Sequence, residues 1–315
     1  MNPLEVRLGA LVLKNPILTA SGTFGYGLEF TDFVDLSKLG GLCTKGLSLK
    51  PHAGNAPPRI CETPAGMLNA IGLQNVGVEA FLAEKLPELR RLGATVIANV
   101  WGDLEEDYVT VVRALEKAQG LAAIELNISC PNVERGGMLF GNSPSLTASL
   151  VAKVRAVTQR PLIVKLSPNA PDLVESARAA RDSGADILSL INTVVGMAIE
   201  PQSGRPRLSF GTGGLSGPAI KPIAVRMVYQ VARALPGTPL MGIGGISSLE
   251  DVLEFLAAGA SAVQVGTANF KEPGIAGRIV EELSAYCDAR HVTAASLVGR
   301  AHVGNPPARE SGAEG

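Results

Sequence analysis

Two amides, a hydroxyl and a thiol fall within the six residues Asn127-Ile128-Ser129-Cys130-Pro131-Asn132. The thiol follows a short apolar run directly and precedes a proline that cannot continue a strand, so it sits where a strand gives way to a loop. Gly136, Gly137 and Gly141 come next, a composition that suits a lid over a site. A thiol in that setting can work as a base or as a nucleophile.

Other polar residues repeat this placement. Ser21, Lys45, Asn99, Asn127, Ser129, Lys165, Asn192 and Thr193 each stand at or just past the end of an apolar run. Three glycine clusters lie late in the chain: Gly213-Gly214-Leu215-Ser216-Gly217, Gly242-Ile243-Gly244-Gly245, and Gly266-Thr267. Glycine lets backbone N–H groups approach phosphate oxygens, and a helix N-terminus adds partial positive charge. A phosphorylated ligand follows from their arrangement.

The elements that must position these residues are runs rich in Val, Ile and Leu, each followed by a glycine- or asparagine-bearing loop and a longer amphipathic stretch. Candidate strands are Pro16–Ala20, Gly41–Lys45, Thr95–Val100, Ala122–Ile128, Pro161–Leu166, Asp186–Ile191, Pro239–Ile243 and Ala260–Val265. Helical spacing joins Ile220, Ile223, Ala224, Met227, Val228 and Val231, and likewise Leu249, Val252, Leu253 and Leu256. Eight strands, each followed by a crossover helix, predict an α/β fold, a (β/α)8 barrel of one domain, with an open doubly wound sheet as the alternative. The polar strand ends then converge on one mouth, and the late glycines occupy that fold's usual phosphate position after strands seven and eight. The long intervals Gly46–Ala94 and Asn192–Thr238 predict insertions at the C-terminal face. Residues 1–303 read as the barrel domain and 304–315, rich in Pro, Gly, Ala and Glu, as a disordered tail.

Composition narrows the class. The 315 residues are 46% hydrophobic, which suffices for a large core, and 28 basic against 29 acidic residues leave a formal charge of −1. That balance offers no general attraction to nucleic acid or to an anionic membrane. Cys43, Cys61, Cys130 and Cys287 form no Cys-x-x-Cys pair, so no metal site is read and a reduced, cytoplasmic chain fits. No signal peptide or membrane span is visible in the pattern.

The chain resembles the class 1 dihydroorotate dehydrogenases over Pro3–Pro273. The resemblance is carried by Ala20-Ser21-Gly22-Thr23-Phe24-Gly25, Thr44-Lys45-Gly46, Asn69-Ala70-Ile71-Gly72-Leu73-Gln74-Asn75, the Asn127–Asn132 hexapeptide, Val164-Lys165-Leu166, Ile191-Asn192-Thr193, Gly214-Leu215-Ser216-Gly217 and the two terminal glycine sites. It implies a flavin mononucleotide (FMN) barrel that oxidises dihydroorotate to orotate in pyrimidine (UMP) synthesis. It also implies a flavin against Ser21, Lys45, Gly46, Asn99, Asn127, Lys165 and Ile191, with its phosphate at Gly217, Gly244, Gly245, Gly266 and Thr267. Substrate is implied at Lys45, at the backbone from Met67 to Leu73 (Asn69, Ala70, Ile71, Gly72 and Leu73 among them), and at Asn127, Asn132, Asn192 and Thr193. Cys130 would be the base, and Lys165 would stabilise negative charge on the reduced flavin.

Ser21–Gly25 with Tyr26-Gly27, and Glu134-Arg135-Gly136-Gly137, resemble the NAD-linked class 1B catalytic subunit. That likeness implies a homodimer core in a heterotetramer, with FAD and a 2Fe–2S cluster on a partner subunit; this chain itself shows no Rossmann fingerprint or cysteine cluster. The alternatives are a fumarate-linked class 1A enzyme, a flavin subunit like that of dihydropyrimidine dehydrogenase, and a non-catalytic flavin-binding barrel.

Overall fold

A computed structural model describes residues 2–129 and 137–303 of the chain. Eight parallel strands close into a barrel in sequence order. They are β1 (Ile17–Thr19), β2 (Gly41–Cys43), β3 (Val96–Val100), β4 (Leu121–Asn127), β5 (Leu162–Lys165), β6 (Ile187–Leu190), β7 (Leu240–Ile243) and β8 (Ala262–Val265). Every residue of β5, β6, β7 and β8 is buried. This is why these segments read as largely apolar runs, with Lys165, Ser189 and Gln264 as their polar members: helices cover one side of each strand and the barrel interior the other. The strands lie within the expected spans except that β4 starts one residue earlier, at Leu121. Closure excludes the open doubly wound sheet.

Seven crossover helices follow β2 to β8: α1 (Leu86–Arg91), α2 (Glu105–Glu116), α3 (Pro144–Arg155), α4 (Leu173–Asp182), α5 (Lys221–Ala234), α6 (Leu249–Ala257) and α7 (Ile275–Arg290). Their starts carry the usual donors' partners. Ser143, Asp172 and Ser248 accept from the backbone N–H groups of Leu146, Glu175 and Asp251. The expectation of a helix after every strand is corrected at β1. That crossover holds only the single 3-10 turns Leu28–Phe30 and Leu36–Lys38. Gly22, Gly25 and Gly27 all take positive φ there, which breaks any helix, and the stacked rings of Phe24 and Phe30, 4.0 Å apart, fill the space instead.

The two long intervals do more than lengthen loops. Ile60–Thr63 and Gly66–Asn69 from the first pair with Thr212–Ser216 and Val194–Met197 from the second, making one four-stranded sheet beside the barrel mouth. Leu68, Ala70 and Leu208 form a small core of their own beneath it. Gly66 is required at the seam, because a Cβ there would stand 2.0 Å from the Ser216 carbonyl oxygen. The tail from 304 to 315 lies outside the described residues.

Layer spacing between β7 and α6 depends on Gly242, whose added Cβ would meet the buried Phe255 ring at 2.3 Å. Gly242→Ala is therefore expected to lower stability by about 1–3 kcal/mol through overpacking. Chemical denaturation checks this, and an unchanged midpoint would show that the helix layer gives way freely.

Candidate active site

Strands β1 to β6 deliver polar side chains at or just past their C-terminal ends, and these meet around a cavity of about 710 Å3. Ser21, Lys45, Gly46, Asn99, Asn127, Lys165, Asn192 and Thr193 line it from the strand ends; Met67, Asn69, Ile71, Gly72 and Leu73 line it from the first insertion.

Beneath the mouth the barrel interior is polar. Glu125 on β4 is fully buried. Its Oε1 accepts from Asn99 Nδ2 at 2.7 Å, and its Oε2 accepts from Ser189 Oγ and Gln264 Nε2, both at 2.8 Å. Burial pushes the Cys43 thiol up; the Glu125 charge adds to this and Lys165 opposes it.

Two lysines project into the cavity with no carboxylate at ion-pair distance among the described residues. Lys165 is only 4% exposed, and its Nζ lies 3.3 Å from Ser21 Oγ. Burial holds the Lys45 ammonium below its ordinary range, Arg59 adds to that shift, and Glu29 opposes it. Two lysines without an ion-pair partner among the described residues, in a partly dry pocket, favour an anionic or electron-rich ligand.

The asparagines give direction. Asn192 Nδ2 donates to Ser129 Oγ at 2.9 Å and to Asn127 Oδ1 at 3.3 Å. Its own Oδ1 accepts from the Thr193 N–H at 2.8 Å. The backbone of Asn127 is pinned by the Tyr108 hydroxyl, which donates to its carbonyl at 2.9 Å. Asn69 Nδ2 donates to the Gly214 carbonyl at 3.2 Å, across the seam of the two insertions. A ring of oriented amides suits a flat ligand with alternating donors and acceptors.

The late glycines gather next to this cavity, outside its lining. Thr267 Oγ1 bonds Ser216 Oγ at 2.8 Å, and Ser216 does line the cavity. Gly244 and Gly245 take φ of 129° and 74°. A Cβ on Gly245 would meet the Gly217 carbonyl oxygen at 2.8 Å and the Lys221 nitrogen at 3.0 Å, so these backbones approach as only glycine permits. Gly217 precedes the turn leading into α5, whose N-terminus adds partial positive charge. Behind the loops, Lys221 Nζ bonds Asp251 at 2.7 Å and Glu254 at 2.8 Å. Burial alone would raise the Asp251 carboxyl, yet Lys221 and the backbone and hydroxyl of Ser247 hold it below its ordinary value.

Some sequence expectations fall elsewhere. Cys130 and Asn132, with Glu134, Arg135 and Gly136, lie outside the described residues. Ile191 is buried behind the lining, and Gly266 adjoins Ala20. Ala70 faces the small core with Leu68 and Leu208; its N–H donates to Arg59 and its carbonyl accepts from Asn55. Its side chain packs there and is not part of the cavity lining.

Arg59, Phe270 and Glu125 are absent from the sequence-based expectations, and Ser216 enters them only within the Gly213–Gly217 cluster. Glu125 did carry a signal: a carboxylate inside an otherwise apolar strand, two residues before Asn127 and so on the same face. Arg59 and Phe270 carried none.

Residues 3–286 match the family model described as dihydroorotate dehydrogenase. A protein of Trichlorobacter lovleyi named dihydroorotate dehydrogenase B (NAD(+)), catalytic subunit, is 55% identical over 297 residues, 94% of this chain and 97% of that protein. The protein of the same name from Geotalea uraniireducens is 56% identical over 285 residues, 90% of this chain and 93% of its own length. Among solved structures, a dihydroorotate dehydrogenase from Eimeria tenella in complex with ferulenol superposes with a TM-score of 0.81, covering 96% of this chain and 89% of that one. At 22% identity it speaks for the fold.

Because Lys45 titrates below the ordinary lysine range, orotate binding is expected to weaken as pH rises through that lowered value, where the ammonium loses its proton. Lys45→Arg should flatten this loss. Binding titrations across alkaline pH check it, and an identical decline in both proteins would remove Lys45 from anion binding.

Proposed function

The chain belongs to the dihydroorotate dehydrogenase family, and from that premise we propose that it is the catalytic subunit of an NAD-linked enzyme oxidising dihydroorotate to orotate in pyrimidine biosynthesis. The observation that carries the reading is the mouth itself: oriented asparagines and two unpaired lysines around a cavity large enough for a pyrimidine and a flavin ring. Lys45 offsets the substrate carboxylate. Asn69, Asn127 and Asn192 orient the ring amides, and Asn132 is assigned with them from the sequence.

FMN is the proposed cofactor, and the residues present fit it. Asn99, a lining residue, has a buried Oδ1 without a partner among the described residues, an acceptor that would suit a ring N–H. Ser21, Gly46, Asn127, Lys165 and Ile191 would hold the ring; Gly217, Gly244, Gly245, Gly266 and Thr267 would hold the phosphate. When bound, FMN supplies the acceptor for the hydride leaving carbon 6 of dihydroorotate. Cys130, assigned as the base on sequence, takes the proton from carbon 5 as the double bond forms. Lys165, kept nearly dry and bonded to Ser21, holds positive charge where negative charge must accumulate. The oriented amides meanwhile fix the ring that Cys130 deprotonates.

The described residues include no helix long and apolar enough to cross a membrane; a cytoplasmic location is part of the proposal. The electrons are proposed to leave through a partner subunit bearing FAD and a 2Fe–2S cluster, docked on a homodimer of this chain to make a heterotetramer. The relatives' designation as catalytic subunits supports a partner.

The purified chain is expected to be yellow with FMN, and anaerobic dihydroorotate should bleach the visible band. Cys130→Ala should retain flavin yet bleach about 10^2- to 10^4-fold more slowly, the usual scale of a lost general base. Absence of flavin, or bleaching by the variant at the wild-type rate, would overturn the respective assignments. In stopped-flow experiments the reduced chain alone should be reoxidised by artificial dyes but not by NAD or fumarate. Adding the partner should restore NAD reduction; rapid reoxidation by fumarate would instead indicate a fumarate-linked enzyme.

A further inference from the structure

Asn99 has two polar atoms and two surroundings. Its Nδ2 donates to Glu125 Oε1 at 2.7 Å. Its Oδ1 is buried and has no partner among the described residues. That oxygen lies beside Gly46, where an added Cβ would stand 3.0 Å from it, and both residues line the cavity. A side chain at position 46 would crowd that oxygen.

The amide has no choice of orientation. An ionised carboxylate accepts and never donates, so the atom of Asn99 that meets Glu125 must be the nitrogen. The other side of Glu125 is committed: Ser189 Oγ and Gln264 Nε2 both donate to Oε2 at 2.8 Å. Gln264 shows the same consequence, with its nitrogen on the carboxylate and its oxygen unpartnered. An oxidised isoalloxazine carries a single ring N–H, the imide at position 3, and an acceptor is what that group requires.

We propose that Glu125 is a positioning residue, turning the Asn99 amide so that its oxygen faces the cavity as the acceptor for the flavin imide; this rests on the flavin reading above. Glu125 touches neither flavin nor substrate. It acts through Asn99 by fixing which atom the cavity presents. A glutamine at 125 has one oxygen and one nitrogen, and two donors converge on Oε2 while one meets Oε1. The oxygen goes where two donors need it, the nitrogen faces Asn99, and Asn99 must turn its oxygen inward. The cavity then presents a donor to the imide.

The test compares FMN with 3-methyl-FMN, in which the imide hydrogen is replaced, by fluorescence quenching on the flavin-depleted full-length chain. The wild-type chain should prefer FMN by roughly tenfold or more, the scale of one buried hydrogen bond and its desolvated partner. Glu125→Gln should bring that ratio near one and weaken FMN itself, whereas a merely structural role would weaken both flavins equally. The exchanged pair Asn99→Asp with Glu125→Gln keeps one buried carboxylate and again points an oxygen at the cavity, so it should restore the preference. This pair also decides the matter should Glu125→Gln alone fail to fold. Retained preference in folded Glu125→Gln, or no preference in the folded exchanged pair, overturns the proposal. Wild-type chain that binds FMN without preference overturns it too, while wild-type chain that binds no flavin overturns the cofactor reading instead.

Discussion

A carboxylate with no exposed surface sits inside the barrel, and the arrangement of the mouth depends on keeping it satisfied. An ion buried without partners costs several kcal/mol, and Glu125 avoids this only through donors from three other strands: Asn99 on β3, Ser189 on β6 and Gln264 on β8. Those bonds tie four strands in one register. Asn127 lies two residues beyond Glu125 and pairs across the ladder with Lys165, which pairs in turn with Ser189. A slip of one residue in β4 would bury Asn127's neighbour at the mouth and strand the carboxylate.

The cationic mouth follows from the same restriction. Three neutral donors satisfy Glu125, so Lys165 is not drawn into an ion pair with it and is left to Ser21. Lys45, on a different strand end, is likewise free of a carboxylate among the described residues. The barrel thus keeps its negative charge below and its positive charge at the surface of the cavity, an electrostatic order that suits an anionic substrate and an electron-accepting ring.

Above the strands, the two insertions close the site by pairing with each other. Asn69 comes from one and its partner Gly214 from the other. The small core of Leu68, Ala70 and Leu208 gives this sheet an apolar footing separate from the barrel, so cavity-lining residues such as Asn69 stand on a sheet and not on independent loops. Near the late glycines, Asp251 links Ser247 to Lys221 at the start of α5, joining the loop after β7 to that helix.

The sequence by itself determined the eight strands, the barrel and the mouth residues at the strand ends. Those strands are buried on both faces and therefore read as mostly apolar runs, and a polar residue just past the end of such a run lies at the barrel's rim. It did not show that the β1 crossover lacks a helix, because the positive φ of Gly22, Gly25 and Gly27 is a conformation that glycine permits without requiring. Only the tertiary structure decided that the two insertions form one sheet, that Ala70 packs away from the cavity and Arg59 comes to it, and that Glu125 is the hub of the interior. Each of these is a relation between residues far apart in the chain. Apolar periodicity is a local property of a segment, whereas strand pairing across insertions and the direction of an amide depend on what closure of the barrel brings opposite it.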